Sequence, residues 1–484
     1  MIRSGYFIFL SLLAIAAQPC AAQSKRSAHW FFGRGAGIDF SPGTAVADTN
    51  STIYTIEGCA SISDTAGNLL FYSDGPRVWN RNHVLMPNGT GLLGNVTSVQ
   101  SSLAVPFPGH PQQYYIFTVG PDFAYSIVDM TLDGGLGDIV LASKNTLLFT
   151  GAGEDVAGTL HCNAVDYWIV ARKRNSSSSF AYQIYLLDST GLSAPLSYPM
   201  NRQNHHPGQL LFSQDGTLLS ASMQTSKNYI FGFDRQTGTL TLQDSMAPPS
   251  GPGDWFYSAA FSPDNSKIYA SYWDANGHAF ISQFDRNAPN LTASRIDLDS
   301  VPFNGSTNGY GWIGRMQLAS DQRIYISRWA MPNTSCPDLT NYCIDSLDVI
   351  FQPDSAGFAC NHQRSALSLD GKPTMIRLPS FISQFTAPGI PQNSCVTIGI
   401  AEPEQKNDFA AFPNPFRGRT QIRLGQFEKN SALEIYDAAG SLVKKQLIPA
   451  AQFYFEAEGL ESGMYFCRIQ LSDRVLSGKL VIMD

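Results

Sequence analysis

A hairpin motif recurs along this chain at intervals of about fifty residues. It reads Ser63-Asp64-Thr65-Ala66-Gly67-Asn68-Leu69-Leu70-Phe71-Tyr72, then Ser213-Gln214-Asp215-Gly216-Thr217-Leu218-Leu219-Ser220. It returns as Ser262-Pro263-Asp264-Asn265-Ser266-Lys267-Ile268-Tyr269 and Ala319-Ser320-Asp321-Gln322-Arg323-Ile324-Tyr325-Ile326. Asp215 to Asp264 is 49 residues, Asp264 to Asp321 is 57, and Asp64 to Asp215 is 151, about three units. A second turn class keeps step from Asp188, Asp234 and Asp285, 46 and 51 residues apart. Asp and Asn suit such turns because their side chains bond nearby backbone and tolerate positive φ. Two hairpins per unit make a four-stranded blade, and a blade cannot bury both of its faces alone. The spacing therefore predicts an all-β, about seven-bladed β-propeller over residues 29–395. Six or eight blades and a β-sandwich array stay open at this point. The strand from His29 to Phe40 is expected to pair with strands after Val349 and close the ring, since an open ring leaves sheet edges bare.

Composition agrees with strands and tight turns. Only 15% of the 484 residues are charged, 12% are aromatic, and there are 41 Gly and 28 Pro. The net charge of −7 gives no basic footprint, which argues against a nucleic-acid partner. At the start, Arg3, the apolar run Phe7 to Ala17 and the small residues Cys20-Ala21-Ala22 form the order of a secretory signal peptide, residues 1–22. The apolar run is too short to span a bilayer as a helix, and no later stretch approaches a transmembrane segment. Beyond the leader lie Cys59, Cys162, Cys336, Cys343, Cys360, Cys395 and Cys467. In an exported chain some of these pair. Cys336 with Cys343, and Cys360 with Cys395, are the candidate disulfides, although sequence does not fix connectivity. Their irregular spacing predicts no metal site.

From Pro388 to Asp408 the repeat is lost and Pro, Gly, Asn and Glu accumulate, so residues 396–408 read as a linker. Residues 409–484 then hold short strand-like runs: Thr420 to Leu424, Ala432 to Tyr436, Ser441 to Leu447, Met464 to Leu471 and Lys479 to Met483. Their lengths predict a small immunoglobulin-like β-sandwich. The tail carries Phe412-Pro413-Asn414-Pro415, Ile435-Tyr436-Asp437-Ala438-Ala439-Gly440, Gly463-Met464-Tyr465 and Lys479-Leu480-Val481. In this it resembles the type A C-terminal sorting domain of the type IX secretion system of Bacteroidetes. The resemblance implies Sec export, passage through the outer membrane by the type IX secretion machinery, and either release or attachment to surface lipopolysaccharide. It also implies that Pro413, Asn414, Pro415, Gly463, Tyr465 and Lys479 belong to the sorting signal. Residues 29–395 resemble propeller regions of exported proteins from the same phylum, through Glu57-Gly58-Cys59-Ala60-Ser61, Phe71-Tyr72-Ser73-Asp74-Gly75, Val78-Trp79-Asn80 and Leu378-Pro379-Ser380-Phe381-Ile382.

Chemistry is harder to read. His205-His206 and His161-Cys162 each open a unit, but adjacent residues of a strand point to opposite faces and rarely chelate one ion together. Asp254, beside Trp255, Phe256 and Tyr257, has the apolar surroundings an acid catalyst needs, yet sequence assigns it no second carboxylate. Trp255, Trp273, Trp312 and Trp329 recur unit by unit, either packed between sheets or stacking on sugars. No Gly-rich phosphate loop precedes a helix, so no nucleotide cofactor is expected. The catalytic residues stay unknown. The reading is a secreted or cell-surface binding module for a glycan or protein ligand. The alternative is a propeller-fold hydrolase or lyase acting on a polysaccharide or lactone.

Overall fold

The computed structural model describes residues 25–176, 179–200, 207–223, 227–247, 254–301, 312–329, 344–389, 393–395, 409–425, 427–429, 431–472 and 475–483. The signal peptide, the linker, His205, His206, Cys336 and Cys343 lie outside them. The chain divides into two compact units, Met1–Cys395 and Val396–Asp484.

The first unit holds seven separate antiparallel sheets among its described residues, joined in sequence order. The repeating turns have one physical cause. Asp64 accepts the Ala66 N–H at 2.9 Å, Asp215 that of Thr217 at 3.0 Å, Asp264 that of Ser266 at 2.8 Å and Asp321 that of Arg323 at 3.2 Å. The second turn class repeats the device through Asp188, Asp234 and Asp285, each receiving the N–H two residues on. Each aspartate thus supplies the hydrogen bond that fixes its hairpin. Gly216, Asn265 and Gln322, next to three of these aspartates, sit at φ of 75°, 59° and 63°.

In blades two to seven the chain enters through Ala60–Ser63, Ser102–Pro106, Ala152–Leu160, Pro207–Phe212, Trp255–Phe261 and Trp312–Leu318. Each of the first five touches the corresponding strand of the next blade, so the six line a common axis. The first sheet has only three strands, His29–Phe32, Ala36–Asp39 and Val46–Ala47. Aromatic packing joins it to the last blade: Trp30 lies 5.8 Å from Tyr325 and 5.7 Å from Phe381, and shares a core with Leu347 and Val349. The unit is thus a β-propeller.

Ring closure differs from the sequence expectation. His29–Phe32 pairs with Ala36–Asp39, and the strand His362–Ser368 pairs with Ser346–Ile350, each inside its own sheet. Closure falls instead to the segment Thr374–Thr386, every residue of which is buried. Beside the first sheet it lies between two inner strands: Ser380 forms a parallel bridge with Ala60, and the Ile376 carbonyl accepts the Arg315 N–H at 2.9 Å. That is the innermost place the three-stranded sheet leaves open. The segment then crosses the bore. Ile382 bridges to Gly158, Ser383 Oγ donates to the Phe212 carbonyl at 2.9 Å, and Gln384 Oε1 accepts the Leu160 N–H at 3.1 Å. The passage is tight: a Cβ on Gly314 would stand 2.1 Å from the Ile376 carbonyl oxygen.

The second unit is a two-sheet sandwich. Phe409–Phe412, Arg419–Leu424 and Gln452–Glu456 form one sheet, and Leu442–Leu447, Ala432–Tyr436, Gly463–Gln470 and Val475–Ile482 the other. Alternate residues point inward, as in Tyr465, Cys467 and Ile469, to a core with Ile422, Leu433, Ile435, Phe455 and Leu480. Period-two apolar patterning is therefore enough to build this sandwich, immunoglobulin-like in its four-plus-three arrangement.

Candidate functional site

The N-terminal ends of the inner strands form one mouth of the bore, and a charged cluster gathers there. Glu57 precedes Ala60–Ser63, Glu154 sits where Ala152–Leu160 bulges, and Tyr257 belongs to Trp255–Phe261. Arg377 arrives on the closing segment. Its guanidinium lies 3.8 Å from the centre of the Tyr257 ring, fully buried. None of its nitrogens meets an acceptor at strict hydrogen-bond geometry among the described residues, and neither do the Tyr257 hydroxyl and Gln209 Nε2 find partners at that geometry, although the Arg377 charge acts on both Tyr257 and Glu57. Buried polar atoms seldom stay so, because each costs about 1–3 kcal/mol unpaired. Glu57 and Glu154 are half-buried and front the cluster. Burial pushes the Glu57 carboxyl up to about 7, opposed by Arg377 and reinforced by Glu154. Deeper in, Arg172 and Asp155 form a fully buried ion pair at 2.6 Å. Arg315 donates to the Leu378 carbonyl and to Ser380 Oγ, and burial together with the Arg377 charge lowers its pKa to about 9.

The sequence candidates fall elsewhere. Asp254 is buried and accepts the Ala275 N–H at 3.0 Å, a turn-holding role. Trp255 and Trp273 are register partners, their rings 4.3 Å apart, and Trp312 pairs in register with Trp329 at the matching place one blade on. Cys395 bonds to Cys162, not to Cys360, which is a buried free thiol. A separation of 233 residues hides that pairing from any reading of local spacing. Asp299, Asp348 and His362 gather their polar atoms within 4.8 Å, but arginine fills the gap. Arg328 bonds Asp299 at 2.6 Å and Asp348 at 2.5 Å, and Arg364 also binds Asp299. Sequence reasoning missed Glu57, Glu154 and Arg377. The available signal was an acid placed at the start of two inner strands in a chain poor in charge.

In the sandwich the residues that the resemblance implicates in sorting lie on or beside the last two strands. Asn414 donates through Nδ2 to the Lys479 carbonyl at 2.7 Å and accepts the Val481 N–H at 2.8 Å, so its amide stands in for a strand residue against the last strand. The Pro413 carbonyl accepts Thr420 Oγ1 at 2.6 Å, and Pro415 leads into Phe416, whose N–H donates to the Val481 carbonyl at 2.9 Å. Gly463 and Tyr465 lie opposite Ile482 and Leu480 on the next strand, with the Tyr465 hydroxyl donating to the Glu461 carbonyl. The Lys479 side chain is exposed.

Residues 410–483 match the family of secretion system C-terminal sorting domains. No curated protein matches the sequence. Among solved structures, a putative 6-phosphogluconolactonase from Bacteroides uniformis is 13% identical, with a TM-score of 0.43, over 71% of this chain and 97% of that one. A functionally unknown protein from Desulfotomaculum acetoxidans is 11% identical at a TM-score of 0.36, over 78% and 90%. Hsv2 from Kluyveromyces lactis is 9% identical at 0.37, over 62% and 88%. Likeness at this level carries no functional argument.

Proposed function

We propose, from the premise that the chain carries a type IX sorting domain and is delivered to the cell surface or beyond, that its propeller is a binding module. The ligand, a glycan or a protein, would be held at the mouth where Glu57 and Glu154 front Arg377 and Tyr257. The observation that carries this reading is the buried guanidinium of Arg377, left with unused donors just behind two half-exposed carboxylates. The closing segment crosses the bore, so a ligand engages the mouth rather than passing through. A source in Bacteroidetes, cleavage of the leader and attachment to surface lipopolysaccharide belong to the same proposal. So do the sorting roles of Pro413, Asn414, Pro415, Gly463, Tyr465 and Lys479.

A second reading, a polysaccharide hydrolase or lyase, draws on Glu57. A carboxyl protonated up to about pH 7 beside a second glutamate is the acid half of a two-carboxylate mechanism. One experiment separates the two. The full secreted chain is applied to an array of bacterial and plant oligosaccharides, with Glu57→Gln and Glu154→Gln alongside. Binding that weakens at least about tenfold in both variants, with the sugars intact, supports the module. Release of new sugar ends by the wild type but not by Glu57→Gln supports the enzyme. Equal retention by all three proteins removes the mouth from the proposal.

A further inference from the structure

The closing segment is held unlike any other inner strand. Blades two to seven anchor theirs through multi-residue antiparallel ladders, such as the five register pairs between Ser102–Pro106 and Gln113–Val119 in blade three. Thr374–Thr386 makes isolated bridges at Ser380 and Ile382 and single backbone bonds at Thr374, Ile376 and Ser380. Its C-terminal part is held by side chains: Ser383, Gln384, Gln214 Nε2 to the Thr386 carbonyl, and Gln322 Nε2 to the same oxygen. Beyond it the Cys162–Cys395 bond ties the chain to the hairpin turn that follows Ala152–Leu160. Ser394 N–H donates to the Cys162 carbonyl at 2.7 Å there. Cys162 is buried and Cys395 half-exposed, and His161 Nδ1 lies 3.7 Å and 4.0 Å from their sulfurs. An imidazole beside a sulfur favours its thiolate whenever the ring carries a proton.

We propose that Cys162–Cys395 is a redox latch on the segment that closes the ring. A dithiol in its thiolate form attacks the accessible Cys395 Sγ. The S–S bond breaks, Cys162 leaves as a thiolate beside His161, and it takes up a proton. The second thiol of the reagent then displaces Cys395, which leaves as a thiol, and the reagent departs as a cyclic disulfide. The protein gains two electrons and two protons. With the latch open, Thr374–Thr386 exchanges between its buried place and solvent, and Arg377 leaves the Tyr257 ring with it.

Hydrogen exchange on the full secreted chain, with and without dithiothreitol, tests the latch. Peptides covering 374–386 are expected to exchange at least about tenfold faster after reduction, with peptides covering 113–119 and 267–273 unchanged. A Cys162→Ser/Cys395→Ser double variant is expected to show the same pattern without reductant. Equal protection of 374–386 in both states overturns the proposal. Simultaneous acceleration in every blade also overturns it, because the bond is then a global staple.

Discussion

The two units bury very different things. The sandwich hides Thr420 and Ser431 as its only buried polar side chains among the described residues, and its core is otherwise apolar. The propeller hides Arg172, Arg315, Arg328 and Arg377 together with Asp74, Asp155, Asp254 and Asp348. Their outer faces differ in the opposite sense, by density: among the described residues the small sandwich exposes nine large apolar side chains, with Phe412 at 82% and Leu447 at 72%, against thirteen on the much longer propeller. Ionised groups are costly to bury and are retained where they position something. Apolar side chains left in water on a small domain mark a surface that meets a partner. The sandwich thus carries its distinctive chemistry outside, as an export tag should. The propeller carries it around its axis.

Deleting residues 409–484 is the harshest test of that division. Surface delivery, read by cell fractionation, is expected to be lost, while the propeller still folds; unchanged delivery would put the export information elsewhere. Next in size is Arg172→Met, which strands Asp155 in the interior and is expected to cost the propeller about 3–5 kcal/mol in denaturant unfolding. Every one of the seven tryptophans precedes residue 330, so tryptophan fluorescence reports the propeller alone. A cost under about 1 kcal/mol would mean that its buried charge is incidental.

Glu57 gives a smaller effect with a pH signature. Its carboxyl binds a proton more tightly folded, at about 7, than at the ordinary 4.5. The favourable contribution is therefore full below pH 4.5 and is lost as pH rises towards 7. Glu57→Gln should match the wild type at pH 4 and exceed its stability by about 2 kcal/mol at pH 8, after allowance for partial exposure. Parallel pH profiles would deny the carboxyl its buried state. The gentlest change is Thr420→Val, which removes the bond to the Pro413 carbonyl and should cost the sandwich about 1 kcal/mol in thermal unfolding followed by amide NMR. A loss of 3 kcal/mol or more would make that polar contact as consequential as the propeller's charges.

What could be read from the sequence was local. Each aspartate turn contains its own donor and acceptor within two residues, so Asp64, Asp215, Asp264 and Asp321 announce their hairpins. The sandwich strands follow from alternation alone. Thr374–Thr386 has neither signal. Its burial depends on partners from Ile56 to Ile344, and Pro379 sits within it, so nothing nearby in the chain records its place. The mouth was hidden for the same reason: Glu57, Glu154, Tyr257 and Arg377 meet only because the ring closes. Cys395 pairs, but with Cys162 across 233 residues rather than with Cys360, the candidate that proximity in sequence offers.

The three-stranded sheet at the start of the propeller sets an order of assembly. Its strands leave the ribosome first, yet the segment that completes their blade is made more than three hundred residues later. Until then the edge at Ala60 and the side of Trp30 that meets Phe381 have no cover. A chain arrested or cut before residue 374 would carry a sticky, unfinished seam, prone to join the same seam on another copy. The earliest blade is the last to be finished.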